Sequence, residues 1–352
     1  MTAREDRLPG FHMTMLSDHS HGILAHNVSV RRISDEPVVE YGAVEGYGPI
    51  FNAGAVFHDG RFHMFARGVR DCYRRNEGPG PLFVDYVSDI LIFVSDDGRS
   101  YEFQQLLAEA SAGDVWCFED PRVQTVRSSG LDQFIMTYTN LPPHDGGLPW
   151  RIGVHSLGYA DGRFSVEHNS GRVIGPDGQP NKDAVIFNLS DGRVAMIHRI
   201  YPNMQLALFD SLEDLWNPAD GYWDDHLAEL HRHVIIEPDP DSFGVGAGPP
   251  PIVTPDGLLL LYHERGWDKH YVTKAALLDH DTGRVKARLS EPIMRPQLLW
   301  EREGDVDNVV FVQGAISQPD GQIYLTYGAA DRSVGAALVS IDELLEALRR
   351  AA

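Results

Sequence analysis

Six Asp-Gly pairs, each between short apolar or alternating stretches, constrain the fold of this chain more than any other feature. They fall at Asp59-Gly60, Asp97-Gly98, Asp161-Gly162, Asp191-Gly192, Asp256-Gly257 and Asp320-Gly321. A type I′ turn needs φ > 0 at both central residues, so Asp-Gly between strands predicts a β-hairpin. Hairpins spread over most of 352 residues predict a nearly all-β protein. Their spacing is irregular, roughly 30 to 65 residues, which fits a β-propeller with divergent blades better than a solenoid. A sandwich is the alternative, but about twenty short strands exceed what a simple one holds.

Helical signals are few. Trp223 to Arg232 reads as a short helix. Ser340 to Leu348 reads as an amphipathic helix closing the chain, with Ser340 as N-cap and Glu343 at the capping-box position. No Pro/Gly/Ser-rich linker divides the sequence. Residues 1–40 are a weakly patterned lead-in, suited to covering a blade edge or to meeting a neighbouring subunit in a homo-oligomer. Residues 41–352 are expected to form one domain that includes the C-terminal helix.

The formal net charge is −21. Nucleic acid and anionic membrane surfaces reward positive charge, so neither is an expected partner. An anionic substrate needs a local basic cluster that overcomes the global field. Cys72 and Cys117 are the two cysteines, too few for a disulfide framework. The first ten residues are polar, and no run reaches the roughly 18 apolar residues of a spanning helix. The expected location is the cytoplasm.

Three segments concentrate chemistry. In Phe118-Glu119-Asp120-Pro121-Arg122, Pro121 restricts Asp120 to extended backbone. Glu119 and Asp120 should then point to opposite faces, so that one of them aims into a central cavity. The plain alternative is a surface turn with an ion-paired Arg. Gly244 to Ile252 looks at first like a phosphate loop, but such a loop is followed by a helix, and Pro249-Pro250-Pro251 forbids one. It reads better as an irregular loop before the strand Leu258 to Tyr262, which delivers His263 and Glu264 to its end. Lys182-Asp183 and His198-Arg199 flank the hairpin at Asp191-Gly192, whose geometry can bring both pairs to one open end. With His263, Lys182 and Arg199 would form the basic cluster an anion needs; taken singly they are scattered surface charge. The His-x-His pairs His19/His21 and His231/His233 lack a completed ligand set at typical spacing, so no metal is expected. No Gly-x-Ser-x-Gly elbow is present.

Together these segments resemble glycoside hydrolase family 130, the β-mannoside phosphorylases and mannosidases. The likeness runs in order from about residue 48 to 335. It is carried by Asn52-Ala53-Gly54-Ala55 with the hairpin to Arg67, Ser95-Asp96-Asp97-Gly98, Glu119-Asp120-Pro121-Arg122, Lys182-Asp183 to Arg199, Gly246 to Ile252 with Tyr262-His263, and Val309-Val310-Phe311 to Asp331. The resemblance implies a five-bladed β-propeller with its site in the central funnel. It implies that Asp120 is the general acid and that Asn52, Arg67 and Asp331 hold the mannosyl unit, with Arg122 and Tyr327 as further substrate contacts. It implies that Lys182, Arg199 and His263 bind phosphate. Gly244 stands where many phosphorylases of the family carry a basic residue. Glu264 replaces the Gly that commonly follows the Tyr-His pair.

The leading expectation is inverting phosphorolysis of a β-mannoside to α-mannose 1-phosphate, with inorganic phosphate as co-substrate and no cofactor. Phosphate is itself the nucleophile, so one protein acid suffices. An inverting mannosidase instead needs a second carboxylate roughly 6.5–9.5 Å away to activate water. Glu264 is then the first candidate base, with Glu213 and Asp268 behind it. The third reading is a non-catalytic, glycan-binding propeller that uses Trp116, Trp150, Trp267 and Tyr327 as sugar platforms.

Overall fold

A computed structural model of the chain describes residues 27–79, 82–110, 117–141 and 149–352. In chain order the first elements are β1 (Val30–Arg32), β2 (Tyr47–His58), β3 (Arg61–Arg70), the small hairpin β4 (Arg74–Arg75) and β5 (Phe83–Val84), β6 (Ser88–Ser95) and β7 (Glu102–Ala108). Next come β8 (Cys117–Ser128), β9 (Leu131–Leu141), β10 (Arg151–Ala160), β11 (Arg163–Val166) and β12 (Arg172–Ile174). They are followed by β13 (Lys182–Asn188), β14 (Val194–Arg199), β15 (Met204–Phe209), three short helices α1 (Leu212–Trp216), α2 (Tyr222–Ala228) and α3 (Leu230–His233), and β16 (Val234–Ile236). The last third holds β17 (Ser242–Ala247), β18 (Ile252–Thr254), β19 (Gly257–Gly266), β20 (Tyr271–Leu278), β21 (Val285–Arg288), α4 (Leu299–Arg302), β22 (Val310–Ser317), β23 (Gln322–Ala329), β24 (Ser333–Ser340) and α5 (Ile341–Ala351).

The strands form five antiparallel blades of a propeller: β2-β3-β6-β7, β8-β9-β10-β11, β13-β14-β15-β16, β17-β19-β20-β21 and β22-β23-β24-β1. The first strand of each is innermost. Blades pack on both faces, so their strands read as continuous apolar runs rather than as alternations. Leu258-Leu259-Leu260-Leu261 in β19 shows why. Leu258 and Leu260 enter the core shared with blade three, and Leu259 and Leu261 the core shared with blade five. Similar cores lie between blades one and two, two and three, and five and one, so the ring is continuous.

All six of these Asp-Gly pairs separate antiparallel partners. Both residues have positive φ at Asp59-Gly60 and Asp161-Gly162. At the other four pairs the Gly alone does, so those turns are not the expected type I′. At Asp97 the side chain instead accepts from the Arg99 and Ser100 amides.

The lead-in expected over residues 1–40 belongs to blade five from Val30 onward. β1 pairs with β24 through Val30↔Val339, Arg31↔Leu338 and Arg32↔Ala337, so the fifth blade joins both ends of the described chain. Arg32 reinforces this: its Nε and Nη2 donate to the buried Glu301 carboxylate at 2.5 and 2.8 Å. The helix expected over Trp223–Arg232 is split at Glu229 into α2 and α3. α5 begins as expected, with the Ser340 hydroxyl accepting from the Glu343 amide at 3.3 Å. Glu343 does not close a capping box; its carboxylate accepts from the Ser29 amide. Among the described residues, no helix is long and apolar enough to cross a membrane.

Candidate active site

The innermost strands of blades one to three each break register near the cavity. The shifts fall between Phe51 and Gly54, Glu119 and Arg122, and Lys182 and Val185. Each bulge holds a polar residue in the left-handed region: Asn52 (φ 47), Asp120 (φ 55) and Asp183 (φ 57). Asn and Asp tolerate this backbone better than other side-chain-bearing residues, which accounts for polar residues inside otherwise apolar strands. Asp331 (φ 51) follows the same rule at the end of β23. The extended backbone expected of Asp120 is therefore not adopted. Pro121 excludes the right-handed helical region, and the bulge selects positive φ. The bulge also cancels the expected alternation, because Glu119 and Asp120 both reach Arg67 and both line the cavity.

That cavity, about 350 Å³, draws on all five blades. Blade one supplies Asn52, Arg67 and Tyr86, blade two Glu119 and Asp120, and blade three Lys182 and Arg199. Blade four supplies His263, Arg265, Lys269 and Tyr271, and blade five Phe311 and Asp331. The charges segregate. Carboxylates stand on blades five and two, flanking blade one; the cations other than Arg67 stand on blades three and four.

On the acidic side, Asp120 Oδ1 accepts from Asn52 Nδ2 at 2.8 Å and from Arg67 Nη1 at 3.4 Å. Oδ2 has no protein partner among the described residues. Arg67 Nη2 donates to Glu119 at 2.6 Å, and its guanidinium lies over the Phe51 and Tyr86 rings. Gly328 keeps this side open, since a Cβ there would collide with Asn52 Oδ1. Asp331 is partly buried, and burial raises its carboxyl to about 7; Arg67 opposes the shift, while Asp120, Glu119 and Asp305 add to it. An unfolded Asp ionises near about 3.9. Between those values the folded protein keeps a proton that the unfolded chain has released, so stability falls as pH rises through this window. Asp331→Asn removes that cost. It should melt above wild type at pH 8, with the gap narrowing toward pH 4. A gap equal at both pH values in calorimetry would contradict this account.

On the basic side, Lys182 and Arg199 are direct register partners across β13 and β14, as the hairpin at Asp191-Gly192 predicts. Beneath them Asp183 is buried, with Oδ1 accepting from Arg122 Nη2 at 3.1 Å and Oδ2 lying 3.0 Å from Arg199 Nη1. Burial opposes ionisation of Asp183, but the neighbouring charges, Arg199 foremost, hold its carboxyl well below the usual range. His263 Nε2 lies 3.4 Å from Asp183. Burial lowers the His263 pKa to about 4 despite Asp183, with Arg199 and Arg122 assisting, so the ring is neutral at pH 7 and the arginines carry the compensation. Gly246 has no side chain because a Cβ there would collide with both Asp183 and His263.

Several expected site residues lie elsewhere. Arg122 is fully buried and donates to the Asp120, Ala247 and Gly248 carbonyls, so it ties blade two to blade four rather than touching the cavity. Tyr327 is core: its hydroxyl donates to Glu301 and its ring stacks on Trp300. Glu264 leaves β19 on the face opposite His263 and is held by Lys274 at 2.8 Å and the Asp239 amide. Glu213 is exposed on α1 beside Asn217. Asp268 is exposed beside His270. None of these three candidate bases lines the cavity. Trp150 and Trp267 are exposed outside it, and Trp116, His19 and His21 lie outside the described residues. His231 faces Glu229 while His233 stacks on His226, so the pair does not converge. No site role was expected of Tyr86, Arg265, Lys269, Tyr271 or Phe311, all of which line the cavity. Arg265 had a usable signal, two residues beyond His263 in one strand.

The family model for glycoside hydrolase 130, described as beta-1,4-mannooligosaccharide phosphorylase, matches residues 24–350. The chain is 31% identical over 326 residues to a 1,2-beta-oligomannan phosphorylase of Thermoanaerobacter sp. (strain X514), covering 90% of this chain and 99% of that one. It is 30% identical over 305 residues to a beta-1,2-mannobiose phosphorylase of the same organism, covering 84% and 91%. Its fold is similar to that of the beta-1,2-mannobiose phosphorylase from Listeria innocua, solved with beta-1,2-mannobiose. That match has a TM-score of 0.72 and 22% identity, and covers 91% of this chain and 99% of that one.

Proposed function

Because the chain belongs to glycoside hydrolase family 130, we propose that it cleaves a β-mannoside with inorganic phosphate, inverting the anomeric centre to give α-mannose 1-phosphate. The observation that carries this reading is the charge division of the cavity. Its carboxylates, Glu119, Asp120 and Asp331, stand on blades two and five, and its cations other than Arg67 (Lys182 and Arg199 among them) stand on blades three and four. An inverting hydrolase needs a base across the sugar from its acid. Glu119 shares Arg67 with Asp120, Asp331 feels the charges of the same three groups, and Glu264, Glu213 and Asp268 stand outside the cavity.

The mannosyl unit would sit against Asn52, Arg67 and Asp331. Phosphate, held by Lys182 and Arg199 with neutral His263 as a hydrogen-bonding neighbour, attacks the anomeric carbon opposite the leaving oxygen. The new C–O bond to phosphate forms as the glycosidic C–O bond breaks, and the leaving oxygen takes the proton that Asp120 supplies. Arg199 is oriented by Asp183, so its remaining N–H groups are fixed before phosphate arrives.

The relatives matched along most of their length are named for β-1,2-linked mannosides, which makes β-1,2-mannobiose and its longer homologues the first substrates to assay. With phosphate, proton NMR should report α-mannose 1-phosphate. Release of mannose alone, at full rate in phosphate-free buffer, would overturn the proposal. Arg199→Ala should raise the KM for phosphate roughly 10- to 100-fold, because a charge-assisted bond is lost, and should leave the KM for the mannoside much less affected.

A further inference from the structure

We propose that Arg265 is a further phosphate-binding residue, and that it supplies the second uncompensated cation the nucleophile's charge requires. This rests on the phosphorylase reading above. Of the cations foreseen for phosphate, Arg199 is already committed to Asp183 at 3.0 Å. His263 is buried and contributes no charge near neutral pH. Of the three, Lys182 alone has no acid partner among the described residues. A phosphate group carries more than one negative charge at that pH, and placing it against Lys182 alone, with Lys269 exposed at the rim, leaves it under-compensated in a chain of net charge −21.

Arg265 has the geometry to fill this gap. It follows His263 by two residues in β19, so both side chains leave the strand on the same face, and both line the cavity. Its guanidinium is held by aromatic faces rather than by a carboxylate: it lies 4.6 Å from the Phe243 ring centroid and 5.6 Å from that of Tyr271. It forms no ion pair with any described residue. Its Nε is buried and has no hydrogen-bond partner among the described residues. An N–H shut off from water without an acceptor is destabilising, so the arrangement is complete only when the cavity supplies one. The register partner of Arg265 across the sheet is Gly244, which has no side chain to cover or neutralise it. Aromatic stacking fixes the plane of the guanidinium without spending its N–H groups, which suits bidentate recognition of phosphate oxygens. From neutral His263 through Arg265 to Lys269, exposure rises step by step, so the two cations lie above the buried ring, toward the rim of the funnel.

The test is steady-state kinetics of Arg265→Gln and Arg265→Lys with β-1,2-mannobiose and inorganic phosphate, paired with calorimetric titration of phosphate into each protein. Arg265→Gln should raise the KM for phosphate roughly 10- to 100-fold, with the KM for the mannoside changing far less and the phosphate heat lost in parallel. Arg265→Lys keeps the charge but not the planar fork, and should fall between wild type and Arg265→Gln. If Arg265→Gln does not fold, phosphate affinity of Arg265→Lys equal to wild type overturns the inference. A rise confined to the mannoside KM would assign Arg265 to the leaving sugar and also overturn it. The two readings fail separately. A wild-type enzyme indifferent to phosphate removes the proposed function, whereas a phosphate-dependent wild type with an unaltered Arg265→Gln removes only this residue's role.

Discussion

Asp120→Asn is expected to lose about 10²–10⁴-fold in turnover of an unactivated β-mannoside, while mannose binding is largely retained. The asparagine keeps an oxygen that can still accept from Asn52 Nδ2 and Arg67 Nη1, the two donors that now hold Asp120 Oδ1. The bulge also persists, because Asn adopts positive φ as readily as Asp. What disappears is the proton for the leaving oxygen. Turnover should be followed by discontinuous assay, and mannose binding by calorimetry. A variant that keeps more than about a tenth of the wild-type rate would remove Asp120 from the role of acid.

Arg122→Met should show the largest loss of stability. Its guanidinium is buried and serves four acceptors: the Asp183 carboxylate and the carbonyls of Asp120, Ala247 and Gly248. Methionine fills similar volume but leaves three carbonyls and part of a buried carboxylate without a partner. Breaking a buried pair in this way costs about 3–5 kcal/mol, or roughly 10 °C in Tm for a chain of this size. Activity should fall well below the melting temperature too, since the Asp120 carbonyl loses its anchor and Asp183 no longer holds Arg199 against a balanced partner. A melting curve within about 2 °C of wild type, with only a raised mannoside KM, would return Arg122 to the sugar-contact role first expected of it.

Features set by local backbone chemistry were legible in the sequence. The Asp-Gly turns, the Ser340 cap and the Lys182–Arg199 juxtaposition each depend on residues close in the chain or paired across one hairpin. The blade number was not legible from spacing alone, because insertions such as α1 to α3 before β16 stretch one repeat and not the next. It came from the resemblance. What failed is long-range or depends on a bulge. Tyr327 has the chemistry of a sugar platform, but its strand is second from the axis and its ring is sealed by Trp300 and Glu301. Glu264 follows a cavity residue, yet strict alternation in β19 sends it to Lys274. Glu119 escaped because alternation was applied where a bulge breaks it. An inner-strand Asn or Asp amid apolar residues was the clue, and it recurs at Asn52, Asp120 and Asp183.

The pairing of β1 with β24 has a consequence for how the ring is assembled. During synthesis β1 emerges among the first segments of the described chain, while its partner is made nearly last. Until then β1 has no neighbour to add to, and blade five lacks its outer edge. Joining segments roughly 300 residues apart is thermodynamically mild, since closure entropy grows only with the logarithm of loop length. It is kinetically late, because so distant a contact waits on everything between. The nascent protein should therefore remain an open arc, vulnerable to proteases and to strand exchange with a second arc, until β24 leaves the ribosome. A fusion placed just ahead of β1 would act on that last step and leave the earlier blades untouched.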